Sequence, residues 1–186
     1  MAARKIAVIV GSLRKQSLNR KMALALMALA PPALSCEMVE IGSLPLYNQD
    51  EDDAGPPPQW TSFRERMNPM DAVLFVTPEY NRSIPGALKN AIDVGSRPYG
   101  KSVWSGKPAA IVTVSPGAVG GFGANHHLRQ ALVFLDMPAM QQPEAYIGGA
   151  SALFDDSDRL VNENTRSFLL RFMEKFARWA EVNSPQ

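Results

Sequence analysis

The sequence predicts an α/β domain in which helices cover both faces of a parallel sheet, a doubly wound arrangement. Continuous apolar runs at residues 6–10, 72–77 and 109–114 are typical of strands that are buried on both faces. Helical patterns separate these runs, which favours parallel strands joined by crossover helices. Ligands of such sheets bind beyond the carboxyl ends of the strands, so the loops that follow the strands are the segments most informative about function.

Strands and helices are expected in alternation along the chain. The strands are predicted at residues 6–10, 36–41, 72–77 and 109–114, with a weaker fifth between 138 and 147. The helices are predicted at residues 18–30, 59–68, 85–95, 123–135 and 162–181. The last helix has the clearest pattern, because its large apolar side chains recur at spacings of three and four and form one stripe that can pack on the sheet.

Length and composition are those of a globular protein with one domain over residues 1–186. A chain of 186 residues can bury a core, and 46% hydrophobic with 20% charged residues is ordinary for this class. A net charge of +1 gives no basic surface for nucleic acid, and no apolar run is long enough to cross a membrane. The single Cys36 cannot form an internal disulfide, so we expect a cytoplasmic protein.

The loop after the first strand has the composition of a phosphate site. It joins a strand to a helix N-terminus, where free backbone amides and the helix dipole attract anions. Ser12, Ser17 and Asn19 add polar groups, and Arg14 adds a cation. The loop matches neither the Walker A pattern nor the dinucleotide fingerprint. An ordinary turn in which Ser17 or Asn19 only caps the helix is the alternative, and the density of polar residues favours phosphate.

The loops after the third and fourth strands suit a flat ligand. Pro78, Glu79, Tyr80 and Asn81 form a stiff, polar and aromatic segment, whose alternative interpretation is a rigid surface turn. Residues 115–123 include four glycines, which allow the backbone to approach a ring closely, although a flexible connection would look similar. With the phosphate loop, these segments describe a slot for a planar ring that carries a phosphate tail, and FMN has that shape.

Two further polar clusters are interpreted as having no metal-binding role. His126 and His127 are adjacent and should point away from each other, which argues against a shared metal. Residues 50–55 are acidic but lack the ligand spacing of a calcium loop, so we expect a solvated loop.

With these loops in view, the chain resembles the NADPH-dependent FMN reductase family, and within it the bacterial quinone and chromate reductases. The resemblance runs from Ile6 to the last helix and rests on residues 11–19, 78–93, 105–108 and 127–130. It implies a flavodoxin-like fold with five parallel strands in the order 2-1-3-4-5. It also implies that the FMN phosphate is held by Ser12, Arg14, Ser17, Leu18 and Asn19. The isoalloxazine ring would be lined by Pro78, Glu79, Tyr80 and Asn81 and bordered by Ser115 and Gly117.

The resemblance further implies a homodimeric or homotetrameric enzyme that oxidises NADPH or NADH and passes two electrons to a small acceptor in ping-pong turnover. Quinones, chromate, azo compounds and free flavin are candidate acceptors. The flavin carries the chemistry, so no catalytic residue is assigned. The sequence departs from the family pattern at residues 94–95, Gly123 and His126, which bear on the oligomer interface and the substrate pocket.

Two other functions stay open from the sequence. A flavodoxin-like one-electron carrier would serve protein partners, but such carriers are usually strongly acidic, whereas this chain is nearly neutral. A flavin-binding regulatory protein without turnover is the remaining alternative.

Overall fold

The computed structural model describes residues 2–184, which form one five-stranded parallel sheet with helices on both faces. The strands are β1 (Arg4–Val10), β2 (Leu34–Met38), β3 (Ala72–Thr77), β4 (Ala109–Val114) and β5 (Ala145–Ile147). The helices are α1 (Leu18–Ala28), α2 (Gln49–Ala54), α3 (Pro58–Met67), α4 (Gly86–Gly95), α5 (Phe122–Phe134) and α6 (Glu163–Asn183). The strand order is β2-β1-β3-β4-β5, so the predicted order 2-1-3-4-5 is confirmed.

The register of the sheet brings the carboxyl ends of its central strands together. Val10 of β1 lies beside Val76 of β3, and Thr77 lies beside Thr113 of β4. Successive residues of each strand face opposite sides, where one core cluster packs against α1 and α6 and the other against α3, α4 and α5. The strand order changes direction between β1 and β3, because β2 lies on one side of β1 and the later strands follow on the other. The loops after β1, β3 and β4 therefore meet at the carboxyl edge of the sheet, next to this switch point.

The second strand begins and ends earlier than the predicted range of 36–41, because β2 spans Leu34–Met38. Val39 still donates its amide to the carbonyl of Val8 at 2.9 Å, and the pairing stops there. Val39 and Ile41 are buried in the core cluster that packs against α3, α4 and α5, so their apolar character reflects burial after the strand has ended and not membership of the strand.

The prediction of a solvated acidic loop at residues 50–55 is wrong, because Gln49–Ala54 form the short helix α2. The side chain of Asn48 caps its first turn, where acidic residues are also stabilised by the helix dipole. The carboxylate of Asp52 is largely removed from solvent: its two oxygens accept hydrogen bonds of 2.8 Å from Arg64, and only 3% of its side chain is exposed. The pairing partner lies on α3, which no local pattern reveals.

Gly95, the second residue of the departure from the family pattern at Val94–Gly95, is explained by packing. Trp104 is completely buried and donates its indole N–H to the carbonyl of Ile92 at 2.9 Å. This position brings its ring so close to α4 that a Cβ on Gly95 would lie 2.6 Å from it. The absence of a side chain at residue 95 is therefore required by the tryptophan ring that fills the space above the helix.

Candidate functional site

A cavity of about 270 Å³ opens at the carboxyl edge of the sheet, where the loops after β1, β3 and β4 meet. Its walls belong to three segments that are far apart in the sequence. They are formed by Ser12, Arg14, Ser17, Leu18, Asn19, Pro78, Glu79, Tyr80, Val114, Ser115 and Pro116. The structure thus brings together nine of the eleven residues that sequence reasoning selected for a cofactor site.

Ser17 caps α1, and this role is compatible with an anion site. Its Oγ accepts a hydrogen bond of 3.2 Å from the amide of Arg20, the third residue of the helix. The amides of Leu18 and Asn19 lie in the same first turn and have no intrahelical acceptor. The positive end of α1 therefore faces the cavity with unused donors, while the nearby Arg14 is exposed and adds a full positive charge.

Asn19 carries an unsatisfied buried oxygen in the cavity wall. The residue is 5% exposed, and its amide nitrogen donates a long hydrogen bond of 3.4 Å to the carbonyl of Val114. Its Oδ1 has no hydrogen-bond partner among residues 2–184. A buried acceptor without a donor costs free energy, so this atom marks a position where a ligand hydroxyl would be stabilised.

The loop after β3 makes a tight two-residue turn. Tyr80 and Ser83 exchange two backbone hydrogen bonds of 2.9 Å, and both intervening residues, Asn81 and Arg82, adopt left-handed conformations with φ of 51° and 65°. These values belong to a type I′ turn, for which asparagine is well suited. The turn holds the Tyr80 ring at the cavity mouth, half exposed, while Asn81 lies at the exposed tip just beyond the cavity wall.

Glu79 ties this loop to the helix on the other side of the cavity. Its Oε2 accepts a hydrogen bond of 3.0 Å from the amide of Ala124, in the first turn of α5, and Oε1 lies 3.4 Å from the guanidinium of Arg82. A Cβ on Gly123 would lie 2.9 Å from Oε2, so the glycine at this departure from the family pattern makes room for the carboxylate. Glu79 is thus both part of the wall and a cap for α5.

The loop after β4 closes the remaining side. Ser115 accepts a hydrogen bond of 3.0 Å at Oγ from the amide of Gly117, which fixes the first turn of the loop. Gly117 itself lies beside the wall, whereas Val114 and Pro116 are wall residues that sequence reasoning missed. Val114 ends β4 and Pro116 directly follows Ser115, so their positions in the chain could have indicated a place in the wall. Their apolar side chains gave no such indication.

The two histidines diverge as predicted. His127 places Nδ1 2.9 Å from the hydroxyl of Ser83, and His126 places Nε2 3.2 Å from the hydroxyl of Tyr146. Across the described part of the chain, no group of three or more His, Cys, Asp or Glu side chains is arranged to hold a metal ion. No helix within residues 2–184 has the length and apolar character needed to cross a membrane.

Cys36 lies in the middle of β2, away from the cavity. Burial raises the pKa of its thiol to about 11, so the sulfur stays protonated at neutral pH and is a poor nucleophile.

Fold and site together define a flavodoxin-like protein with a polar cavity at the carboxyl edge of its sheet. The model of the NADPH-dependent FMN reductase family matches residues 4–152, and the chain belongs to this family. It is 66% identical over 178 residues to a quinone reductase from Pseudomonas putida, a match that covers 96% of this chain and 95% of the relative. It is 49% identical over 177 residues to a 2-hydroxy-1,4-benzoquinone reductase from a Burkholderia species, covering 95% and 96% of the two chains.

A solved structure shares the fold closely. The flavoenzyme NAD(P)H:(acceptor) oxidoreductase FerB from Paracoccus denitrificans superposes with a TM-score of 0.92 at 41% identity, over 98% of this chain and all of that one. The predicted fold and family are therefore confirmed.

Proposed function

We propose that the cavity at the sheet edge binds the phosphate and ribityl chain of FMN, with the isoalloxazine ring across its mouth. The phosphate would lie against the loop after β1, held by Ser12, Arg14, Ser17, Leu18 and Asn19. The ring would lie between the two other loops, against Pro78, Glu79, Tyr80 and Asn81 on one side and Ser115 and Gly117 on the other. The observation that carries this proposal is the meeting of three separate loops in one cavity.

The cavity suits such a ligand in two respects. Its unused amides and Arg14 match a dianion, and the unpaired Oδ1 of Asn19 matches a ribityl hydroxyl that donates a hydrogen bond. Its volume of about 270 Å³ is slightly below the usual range of roughly 300–1,000 Å³ for small-molecule pockets. The tail fits inside, and the flat ring has to lie across the opening, where Tyr80 is exposed.

The protein is an FMN-dependent NAD(P)H oxidoreductase that acts on a small-molecule acceptor, in accordance with its family and its quinone reductase relatives. When bound, FMN would supply the redox chemistry, namely hydride transfer from the nicotinamide and transfer of two electrons to the acceptor. The residues of the chain bind the phosphate, orient the ring and leave one face open to solvent. The two substrates would use that open face in turn, which requires ping-pong kinetics. Quinones are the proposed acceptors, ahead of chromate, azo compounds and free flavin, because the relatives described above are named quinone reductases.

The alternative of a one-electron carrier is distinguished by its flavin spectrum. A carrier would form a stable blue neutral radical on partial reduction and would depend on a protein partner. We expect the opposite, namely direct reduction to the two-electron state and turnover with quinone alone.

A titration and a kinetic assay test the function together. Purified protein is expected to bind FMN with a yellow flavin spectrum, and to oxidise NADPH or NADH when a benzoquinone or naphthoquinone is added. Plots of reciprocal rate against reciprocal NADPH concentration at several quinone concentrations should be parallel. Protein that does not bind added FMN, or that binds it but fails to turn over with both nicotinamides and every quinone, would refute the proposal.

The proposal extends to assembly and location. A homodimer or homotetramer is proposed from the family, and sedimentation of the FMN-bound protein tests it. A cytoplasmic location is proposed because the reaction consumes reduced nicotinamide and because Cys36 is a free thiol. One functional domain is proposed, since α6, beyond the residues that the family model matches, packs against the same sheet.

A further inference from the structure

An exposed aromatic cluster lies beside the cavity and has no part in the cofactor site described above. It consists of Phe122 and His126, one turn apart on α5, and Tyr146 on β5. The Phe122 ring centroid lies 4.2 Å from that of His126 and 5.3 Å from that of Tyr146, and half of Phe122 is exposed. The rings of His126 and Tyr146 are nearly parallel, at an interplanar angle of 18°. We call these three residues the aromatic platform.

The platform is held in place by its own contacts. The hydroxyl of Tyr146 lies 3.2 Å from Nε2 of His126, which fixes the two rings relative to each other. The backbone of Tyr146 supports the turn before α5, where Gly120 has a φ of 65° and a Cβ would lie 2.6 Å from the tyrosine carbonyl carbon. The rings are thus preorganised, and a planar ligand would lose little side-chain entropy in contacting them.

Burial, reinforced by a hydrogen bond and a charge from Glu144, raises the pKa of the Tyr146 hydroxyl to about 12. The phenol therefore stays neutral at physiological pH, so Tyr146 presents an uncharged ring with one polar edge. An aromatic surface of this kind suits stacking with a conjugated ring.

The platform borders the cofactor cavity through the first turn of α5. Gly121 and Gly123 flank Phe122, and both lie close to Glu79, a residue of the cavity wall. A Cβ on Gly121 would lie 3.7 Å from the Cβ of Glu79, and a Cβ on Gly123 would lie 2.9 Å from its Oε2. The cavity, at about 270 Å³, is slightly below the usual range of roughly 300–1,000 Å³ for small-molecule pockets, so we expect a second planar molecule that reacts at the ring to contact the groups of the rim.

We propose that the aromatic platform is a binding surface for the planar quinone acceptor, stacked at the open side of the cofactor site. This inference rests on the proposed function and specifies where the oxidising substrate binds. Conjugated acceptors would gain affinity from the rings of Phe122 and His126, whereas an inorganic acceptor without a π-face would gain none.

The test compares two acceptors in two variants. Phe122→Leu removes one ring from an exposed position, and His126→Gln removes the second while retaining a polar group for Tyr146. For each variant we expect KM for a naphthoquinone to rise about three- to tenfold, the range of an aromatic pair interaction. KM for ferricyanide, which has no π-face, should stay unchanged. Phe134→Leu is the matched control, because Phe134 is exposed on the same helix at its far end.

Other outcomes would overturn the inference. An unchanged KM for naphthoquinone in both variants would show that the platform does not bind the acceptor. Slower reduction by NADPH in a stopped-flow half-reaction, with a normal oxidative half-reaction, would assign the platform to the nicotinamide. A change of oligomeric state in sedimentation would assign it to an interface between copies of the chain. Absence of turnover in the unaltered FMN-bound protein would instead refute the proposed function itself.

Discussion

The Oε2 atom of Glu79 accepts a hydrogen bond of 3.0 Å from the backbone amide of Ala124, which joins the loop after β3 to the first turn of α5. The two residues are 45 positions apart in the chain, and the N-cap residue of α5, Gly121, has no side chain that could satisfy this donor. One carboxylate therefore fixes the position of the loop after β3 relative to α5, the helix that follows the loop after β4.

Replacing Glu79 should loosen the loop after β3 and the first turn of α5 at once. In Glu79→Ala the amide of Ala124 loses its acceptor, and we expect the free energy of unfolding to fall by about 1–2 kcal/mol, as for the loss of a helix cap. FMN affinity should fall as well, because the loop that carries Tyr80 is released. Urea unfolding of the FMN-free protein and fluorescence titration with FMN measure the two effects. Glu79→Gln retains an oxygen acceptor and should recover most of the stability; equal losses in both variants would contradict a capping role.

Arg14 provides the test of the phosphate site. In Arg14→Ala we expect FMN binding to weaken by about 1.5–3 kcal/mol, the usual contribution of a hydrogen bond to a charged group. Riboflavin, which lacks the phosphate, should bind both proteins equally well. Lys15→Ala is the control, since Lys15 is an exposed neighbouring cation outside the cavity wall. Equal FMN affinity in the Arg14 variant and the unaltered protein would remove Arg14 from the site.

Replacing Asn19 should have opposite effects on the stability of the FMN-free protein and on its affinity for FMN. The buried Oδ1 has no partner among the described residues, so Asn19→Leu removes an unsatisfied acceptor along with one long hydrogen bond. We expect the FMN-free variant to be as stable as the unaltered protein or more stable, by up to about 1 kcal/mol, and to bind FMN more weakly. A variant that is clearly less stable without FMN would indicate that Asn19 has a structural role alone.

The buried pair of Asp52 and Arg64 makes stability depend on pH. The hydrogen bonds from Arg64 hold the pKa of the Asp52 carboxyl below its usual value. A lowered folded-state pKa contributes stability that is present above the unfolded value, about 4, and is lost as the pH falls through the folded value. Arg64→Met should therefore cost about 3 kcal/mol at pH 7, with a deficit that shrinks on acidification towards pH 3.

The matched control for this pair lies on the same helix. Arg66 pairs with Glu37 at 2.8 Å, but both side chains are about half exposed. Arg66→Met should cost at most about 1 kcal/mol, because solvent screens an exposed pair. Urea unfolding of both variants between pH 3 and pH 7 separates the two cases, and a deficit for Arg64→Met that is independent of pH would point to lost packing on Trp60 and not to the ion pair.

Two glycines of α4 allow the same substitution in opposite surroundings. Gly95→Ala would place a methyl group 2.6 Å from the buried Trp104 ring, and we expect a loss of about 1–3 kcal/mol from overpacking. Gly86→Ala would meet no atom within 4 Å, so it should be neutral or stabilising by about 0.4–1 kcal/mol. Thermal unfolding with tryptophan fluorescence reports both, and similar stabilities for the two variants would refute the packing explanation.

Local patterns predicted most of the architecture. The continuous apolar runs located β1, β3 and β4, because strands buried on both faces must be apolar along their whole length. The pattern failed at residues 39–41 and at α2, where burial and helix formation depend on partners elsewhere in the chain. Asp52 shows the limit clearly, since an aspartate in an acidic stretch is solvated unless an arginine from another helix happens to face it.

The sequence by itself determined the alternation of strands and helices, the polar loop before α1 and the positions of the loops after β3 and β4, because each of these follows from neighbours along the chain. Only the tertiary structure decided that Glu79 caps α5, that the oxygen of Asn19 lacks a donor and that Phe122, His126 and Tyr146 stack together. These relationships join residues on different elements, and their geometry depends on how closely the helices pack on the sheet, a property that belongs to the folded chain as a whole.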